Sequence, residues 1–396
     1  MELSIRKQPT DLGSPRDWQP REIRSFSTFV TKGATPTTYG FDWEEDGVVF
    51  LRSECVAEEG LDLAQSTFIS RDAHAALRRG EVRSGDILMT ITGYVGRVVR
   101  LPTGFGGANI NQHIARIRVA DPNVNASFVF HFLSQRRVRA LYESITTGQA
   151  YPQISLQQVR ETVIPLPPLP EQNAIARALD DVDSLLGELT VSLSKKRDLK
   201  QAAMQQLLTG RARLPGFAGE WQVRRLGSMA HIKTGARNNR DGAPSGTYPF
   251  FVRSDVVERI DSYSYDCEGI LVPGEGRIGS VFHYIRGRFD VHQRVYAITQ
   301  FLPNVSGRFV FYCMRQRFGA HALQNSVKAT VDSLRLPTFQ NFELTVPPTV
   351  EEQTAIVEVL SKMEAEIDAL EARLEKTKAL KQGMMQELLT GRTRLV

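Results

Sequence analysis

Three stretches carry residue types and spacings that chemistry could use. Gly274-x-Gly276-x-x-Gly279 matches the dinucleotide fingerprint, in which glycines let the backbone approach a pyrophosphate at the start of a helix. The next residues, Ser280 to Ile285, alternate like a strand, and a phosphate cradle needs a helix N-terminus there. The chain contains an internal repeat, and its first copy has Ile91 in place of the first glycine, so the spacing predicts a glycine turn in a β-hairpin. Asp198-x-Lys200 has the residue types of a metal-dependent nuclease tail, but it lies on a long helical stretch without a Pro-Asp partner and reads as a solvated charge pair. The third stretch, Arg237-Asn238-Asn239-Arg240-Asp241, is of a different kind. Arg pairs bidentately with guanine and Asn with adenine, each pairing worth about 1–3 kcal/mol of discrimination. The same run also serves as a plain solvated turn.

Other catalytic patterns are missing. No Asn-Pro-Pro-aromatic or Asp-Pro-Pro-aromatic run is present to hold an extruded base for methyl transfer, and there is no P-loop, Gly-x-Ser-x-Gly or His-Glu-x-x-His. The seven histidines, His113 and His292 among them, lack metal-ligand spacing. What remains is binding.

The elements that position such residues have to come from a chain of 396 residues, enough for two or three domains. Hydrophobic residues make up 41% and charged residues 23%, a globular composition that excludes disorder as the main state. Apolar runs such as Phe309-Val310-Phe311-Tyr312 fall far short of the roughly 20 residues of a membrane helix. The segment Met1 to Lys7 lacks an apolar signal core, and the cysteines (Cys55, Cys267, Cys313) are odd in number and far apart, so a reducing cytoplasm is expected. Net charge is +5, and the excess sits in residues 215–350, with 16 Lys+Arg against 11 Asp+Glu. A modestly basic block is compatible with a phosphate backbone as ligand.

The repeat organises the chain. Residues Glu171 to Leu214 return at Glu352 to Leu395 with a constant offset of 181, and 20 of the 44 positions are identical. The strongest pieces are Glu171-Gln172-x-Ala174-Ile175 against Glu352-Gln353-x-Ala355-Ile356, and Leu207-Leu208-Thr209-Gly210-Arg211 against Leu388-Leu389-Thr390-Gly391-Arg392. Fainter echoes precede them: Trp18-Gln19 with Trp221-Gln222, Gly33-Ala34 with Gly235-Ala236, Arg52-Ser53 with Arg253-Ser254, and Gly93-x-x-Gly96 with Gly276-x-x-Gly279. The chain is a tandem duplication whose blocks have drifted while their closing stretches have barely changed.

Those closing stretches read as helices. Ile175, Leu179, Val182, Leu186, Leu189 and Leu193 are spaced 4-3-4-3-4, and Ile356, Leu360, Met363, Ile367, Leu370 and Leu374 repeat that spacing, the mark of a coiled-coil seam. Prolines at 165, 167, 168 and 170, and at 347 and 348, bar helix before the start, and Gly210 and Gly391 supply stops. Each helix should run about 38 residues, or roughly 57 Å. The blocks read as mixed α and β: a turn feeding a strand over 82–91, a strand over 110–119 and an amphipathic helix over 127–142, with the scheme repeated at 269–273, 291–299 and 307–322. The expected fold class is α+β, with two mixed α/β domains separated by two long helices paired as an antiparallel coiled coil and related by a pseudo-two-fold. Residues 1–165 form the first domain, 166–214 its proline entry and helix, 215–346 the second domain and 347–396 the second entry and helix.

With both proline entries and the two Glu-Gln-x-Ala-Ile to Leu-Leu-Thr-Gly-Arg helices in place, the whole chain resembles the specificity (S) subunit of Type I restriction-modification systems. The second entry, Val346-Pro347-Pro348-Thr349, departs by losing two prolines. The resemblance implies a non-catalytic subunit with no cofactor of its own, whose two domains each recognise one half of a split, asymmetric site in double-stranded DNA. It also implies two methyltransferase subunits, which carry S-adenosylmethionine and modify adenine, and restriction subunits that use ATP and Mg. Candidate DNA contacts pair across the repeat as Lys32 with Lys233, Arg52 with Arg253, Arg97 with Arg277 and Gln112 with Gln293. Tyr94, Asn111 and Tyr151 join them in the first block, and Arg237, Asn238, Asn239, Arg240, Arg294 and Lys328 in the second.

If the helices act as a ruler, adding seven residues to both preserves the seam and lengthens the helix pair by about 10 Å, or roughly three base pairs. Mapping methylated sites for the lengthened chain should then show a spacer longer by about that amount; an unchanged spacer would contradict the ruler.

Overall fold

A computed structural model describes residues 15–148, 151–324 and 333–395. The chain divides into two compact units, Met1–Leu189 with Arg373–Val396, and Thr190–Ala372. Two long helices, Leu169–Leu207 and Val350–Leu388, each of 39 residues, contribute to both. The second starts after Pro347 and Pro348, whereas the first starts at Leu169 and takes Pro170 into its first turn, where the missing N–H would be unpaired anyway, so Pro170 does not bar helix as expected. Gly210 and Gly391 beyond their ends adopt φ of 70° and 71°, the left-handed conformation a helix stop favours.

In the first unit, one four-stranded sheet runs Thr67–Ile69, Val48–Leu51, Ala108–Ile110, Glu81–Val82. A second runs Ser27–Lys32, Ile114–Val119, Ile87–Thr90, Val98–Arg100. The second unit joins the same scheme into one six-stranded sheet, with His283–Val291 as a single strand where the first unit has Val98–Arg100, an excursion, and Ala108–Ile110. Both units keep one parallel pairing, Leu51 beside Ile110 and Phe251 beside Val291. Each also keeps an antiparallel tie between its entering and leaving segments, Gln19–Glu22 on Val163–Leu166 and Gln222–Arg225 on Glu343–Val346.

Two expectations need correcting. The strand expected over 110–119 is interrupted, because Asn111-Gln112-His113 forms a turn in which the Asn111 side chain accepts from the His113 N–H; His292-Gln293-Arg294 breaks the second copy in the same place. The helix expected over 127–142 is two helices, Ala126–Leu133 and Arg136–Ser144. Gln135 breaks it with an extended backbone while its buried side chain donates to the Phe132 carbonyl. Gly307–Gln324 is continuous, as expected.

The cores explain which residues the repeat kept. Met385, Leu388 and Leu389 of the second long helix pack with Trp18, Phe128, Ile175 and Leu179 in the first unit. Met204, Leu207 and Leu208 of the first long helix pack with Phe309, Ile356 and Leu360 in the second. Polar side chains then fix the pairing. Arg394 bonds Glu171 through two nitrogens at 2.5 and 2.7 Å, and Lys381 reaches Asp183 at 2.5 Å. In the second unit Arg213 bonds Glu352 at 2.9 and 2.6 Å, and Lys200 reaches Glu364 at 2.6 Å. Each pair is the other with 181 added to one partner and subtracted from the other, and within each unit one number falls as its partner's rises. The helices therefore run antiparallel in both units.

Gln172 and Gln353 do a separate job. Gln172 accepts from the Asn125 N–H at 2.9 Å and donates to the Asn123 and Pro167 carbonyls at 3.2 and 2.8 Å. Gln353 repeats this with the Ser306 N–H and the Asn304 and Pro347 carbonyls. A buried amide so used locks the long helix to the helix that follows each sheet. Gln172→Leu should cost about 1–3 kcal/mol, since it leaves buried backbone groups unmet. Chemical denaturation of the variant checks this, and a loss within error of zero would contradict it.

Candidate nucleic-acid interface

The exposed candidates are carried on loops that backbone hydrogen bonds tie together. In the first unit, the Gly33 N–H donates to the Asn111 carbonyl and the Asn111 N–H to the Leu51 carbonyl. The Ile91 N–H donates to His113 and the Gly93 N–H to Pro152. Lys32, Arg52, Tyr94, Gln112 and Tyr151 therefore sit on neighbouring loops. Gly33 is required there, because a Cβ on it would lie 1.6 Å from the Ile110 carbonyl oxygen.

The second unit repeats the arrangement. Gly235 donates to Val295, Gln293 to the Arg237 carbonyl, His292 to Phe251 and Gly274 to Arg294. This gathers the loops bearing Lys233, Arg237 to Arg240, Arg253, Arg277, Gln293 and Arg294. Gly276-x-x-Gly279 is the hairpin turn between Tyr265–Pro273 and His283–Val291, with both glycines at positive φ.

The side chains divide by what already holds them. Tyr94 and Tyr151 stand 69% and 77% exposed, flat apolar faces offered to solvent, and the Arg97 guanidinium lies 4.0 Å from the Tyr94 ring centre. Lys32, Lys233, Asn239, Arg240 and Gln293 are exposed as well. Gln112 accepts from the Thr35 hydroxyl, and Arg52 donates to the Gln65 carbonyl. Arg294 and Arg253 share Glu275 at 2.7 and 3.5 Å, and Arg277 pairs with Asp255 at 2.5 Å. Burial, then Arg253 and Arg294, lower the His292 pKa, so the ring beside these arginines favours its neutral form.

Other candidates have structural duties. Arg237 bonds the buried Asp290 carboxylate at 2.9 Å, where the Ser264 hydroxyl also donates. Asn238 caps the short turn Asn239–Asp241 in a reciprocal box with Asp241, and Asn111 is buried in its turn. Lys328 lies outside the described residues. Residue types alone did not single out Glu58, which gathers Arg139 at 2.6 Å and Arg97 at 3.8 Å beside the Tyr94 loop. No group of three or more His, Cys, Asp or Glu side chains that could hold a metal ion occurs among the described residues.

Loops of aromatic, amide and basic side chains, duplicated on two units with partly different residues, suit a ligand read twice. A family model described as the type I restriction modification DNA specificity domain matches residues 15–195 and again 218–379. The chain belongs to that family. The type I restriction enzyme MjaVIII specificity subunit of Methanocaldococcus jannaschii is 20% identical, over 98% of this chain and 96% of its own. The crystal structure of the type I restriction-modification S subunit from M. genitalium superposes with a TM-score of 0.66 at 14% identity, covering 98% of each chain. A chain from a structural study of type I complex assembly and conformational transition gives 0.54 at 17% identity, over 96% of this chain and 99% of that one. Specificity subunits recognise DNA and are not the catalytic chains of their enzymes. The two-block, two-helix fold expected of a specificity subunit is the one found, unit by unit. No helix is long and apolar enough to cross a membrane among the described residues.

Arg237 and Arg240 separate framework from surface. Arg237→Ala should lower the thermal midpoint of the chain by leaving the Asp290 carboxylate buried without its cation, whereas Arg240→Ala should leave the midpoint unchanged. Differential scanning calorimetry of the two variants checks this, and equal midpoints would contradict it.

Proposed function

We infer that this chain is the DNA sequence-specificity subunit of a type I restriction-modification complex and reads a bipartite, asymmetric site, one half per target-recognition domain. The observation that carries the reading is the double family match on two units that share a framework but differ in many of their loop residues. Lys32-Gly33-Ala34-Thr35-Pro36-Thr37 in one unit and Lys233-Thr234-Gly235-Ala236-Arg237-Asn238 in the other keep the glycine that the backbone needs and differ in the residues beyond the Gly-Ala pair. Different side chains on one framework read different base edges. The domains are 1–165 and 215–346, and 166–214 and 347–396 are the helices that set the spacer. Lys32, Arg52, Tyr94, Arg97, Gln112 and Tyr151 serve one half-site; Lys233, Asn239, Arg240, Arg253, Arg277, Gln293 and Arg294 serve the other.

Catalysis belongs to partners in this reading. The chain scaffolds two methyltransferase subunits, which bring S-adenosylmethionine, and restriction subunits, which bring ATP and Mg, in the cytoplasm where the DNA is. Relatives named as subunits of type I restriction enzymes support that division.

The test is modular. In the complex with its methyltransferase subunits, Asn239→Ala with Arg240→Ala should relax base preference in one half of the methylated sequence, and Tyr94→Ala with Tyr151→Ala in the other half only. Mapping methylated adenines across a genome reads both. A change in both halves from either pair would overturn the assignment of one half per domain.

A further inference from the structure

A cleft of about 310 Å³ in the first unit lies where helix Arg136–Ser144 begins and the second long helix ends. Its floor is largely apolar, with Met385 and the alkyl stems of its long side chains, and its polar groups are the amides and cations of Gln135, Arg136, Arg137, Gln382, Gln386 and Arg392. The cations are poorly neutralised. Arg137 is half-buried and spends its bonds on neutral oxygens, the Gln135 amide at 2.8 Å and the Leu389 carbonyl at 3.3 Å. Burial, and then Arg392 close by, lower its pKa. Arg136 is exposed, and among the described residues neither it nor Arg137 has a carboxylate within ion-pair distance. Arg392 has Glu387 at a loose 3.6 Å.

The cleft is continuous with the candidate interface. Glu58 is held below the usual carboxylate range chiefly by Arg139, then by Arg97 and Arg136. Arg97 lies over Tyr94, and Gly96 backs directly onto Arg139. Five arginines (97, 139, 136, 137 and 392) thus run from the Tyr94 loop into the cleft against Glu58, Glu143 and Glu387.

The repeat says what kind of ligand this is. With the offset of 181, Gln135-Arg136 becomes Gln316-Arg317, and Gln382, Met385, Gln386, Thr390 and Arg392 become Gln201, Met204, Gln205, Thr209 and Arg211. Only Arg137 changes among these, to Phe318, and the Gln316 Oε1, which loses the donor that Gln135 enjoys, is buried without a partner. Gln135 and Arg136 survive inside a block that otherwise drifted. Exposed residues that set the difference between two half-sites have to differ, while those that meet a sequence-independent feature can stay the same. In DNA that feature is the phosphate backbone.

We propose that this cleft, with Arg136 and Arg392 as its contacts, seats backbone phosphates of the bound duplex and extends the recognition face along helix Arg136–Ser144. The assignment rests on the DNA-recognition reading above and adds a non-reading contact to it. A phosphate entering here displaces no strong internal ion pair.

The experiment uses the complex with methyltransferase subunits, a duplex carrying the methylated site mapped with the unsubstituted chain, and a duplex without it. Arg136→Ala and Arg392→Ala should each flatten the slope of log affinity against log salt by about one. They should weaken both duplexes by the same factor and leave the methylated sequence unchanged. Arg136→Lys should restore the slope, which separates lost charge from a fold defect. An unchanged slope in a complex that still prefers its site overturns this inference alone. Loss of the methyltransferase subunits from the variant on gel filtration overturns it too, by making the cleft a protein contact. No site preference in the unsubstituted complex would instead sink the recognition reading beneath it.

Discussion

A buried carboxylate at the start of each long helix is the constraint on which the rest depends. Glu171 and Glu352 have side chains 1% exposed, and burying an ionised carboxylate is tolerable only with a cation and hydrogen bonds in place. The cation comes each time from the far end of the other long helix, Arg394 for Glu171 and Arg213 for Glu352, through two nitrogens. Neither unit is therefore complete from one repeat copy, and the first also needs a separate piece of chain, Arg373–Val396. The sheet and the helix start supplied by one repeat copy require the Leu-Leu-Thr-Gly-Arg tail of the other, and Trp18 and Trp221 show how closely that tail fits. A Cβ on Gly391 would meet the Trp18 ring at 3.2 Å, and one on Gly210 the Trp221 ring at 3.1 Å.

This exchange accounts for the uneven drift of the two copies. A residue in the tail touches the helix start of the opposite copy, so a change at Arg213 has to be matched at Glu352 rather than nearby. Gln172 and Gln353 add a second lock, each holding the loop ahead of the helix that follows its sheet. Side chains on the loops at the parallel strand pair answer to no such demand. Gly33 and Gly235 stay because a carbonyl blocks any larger residue, and most of the loop beyond the Gly-Ala pair differs between the copies.

The same logic explains what was legible in the sequence. Helix lengths and the hairpin at Gly276-x-x-Gly279 came from spacing, proline and glycine, and the antiparallel pairing from the order of blocks and helices along the chain; all act locally or through identical repeats. The breaks at Asn111 to His113 and at Gln135 did not, because alternation and periodicity continue across them and only side chain to backbone bonds interrupt the element. Base-reading candidates were legible as residue types but not as roles. Arg237 and Asn238 look alike in composition to Asn239 and Arg240; their inward bonds depend on Asp290, 53 positions away, and on Asp241. The arginine track along helix Arg136–Ser144 left one signal, the Gln-Arg pair retained in both copies, and it gains meaning only once the tail containing Arg392 is seen beside it.

Among the arginines of the candidate interface, the useful distinction is which can be released. Arg294, Arg253 and Arg277 are tied to Glu275 and Asp255 by pairs that are solvent-accessible on at least one side, and exposed pairs are worth about 0–1 kcal/mol. In the proposed reading, a guanine edge or a phosphate takes such an arginine from its carboxylate at little cost, while the pairing holds the side chain in place beforehand. Arg237 cannot be taken, because its departure would strand Asp290 in the core of the sheet. With a net charge of only +5 on 396 residues, nonspecific attraction is modest. In the proposed reading, discrimination then falls to exchangeable pairs that open for the correct bases and stay closed otherwise, and the framework arginines keep the surface from rearranging.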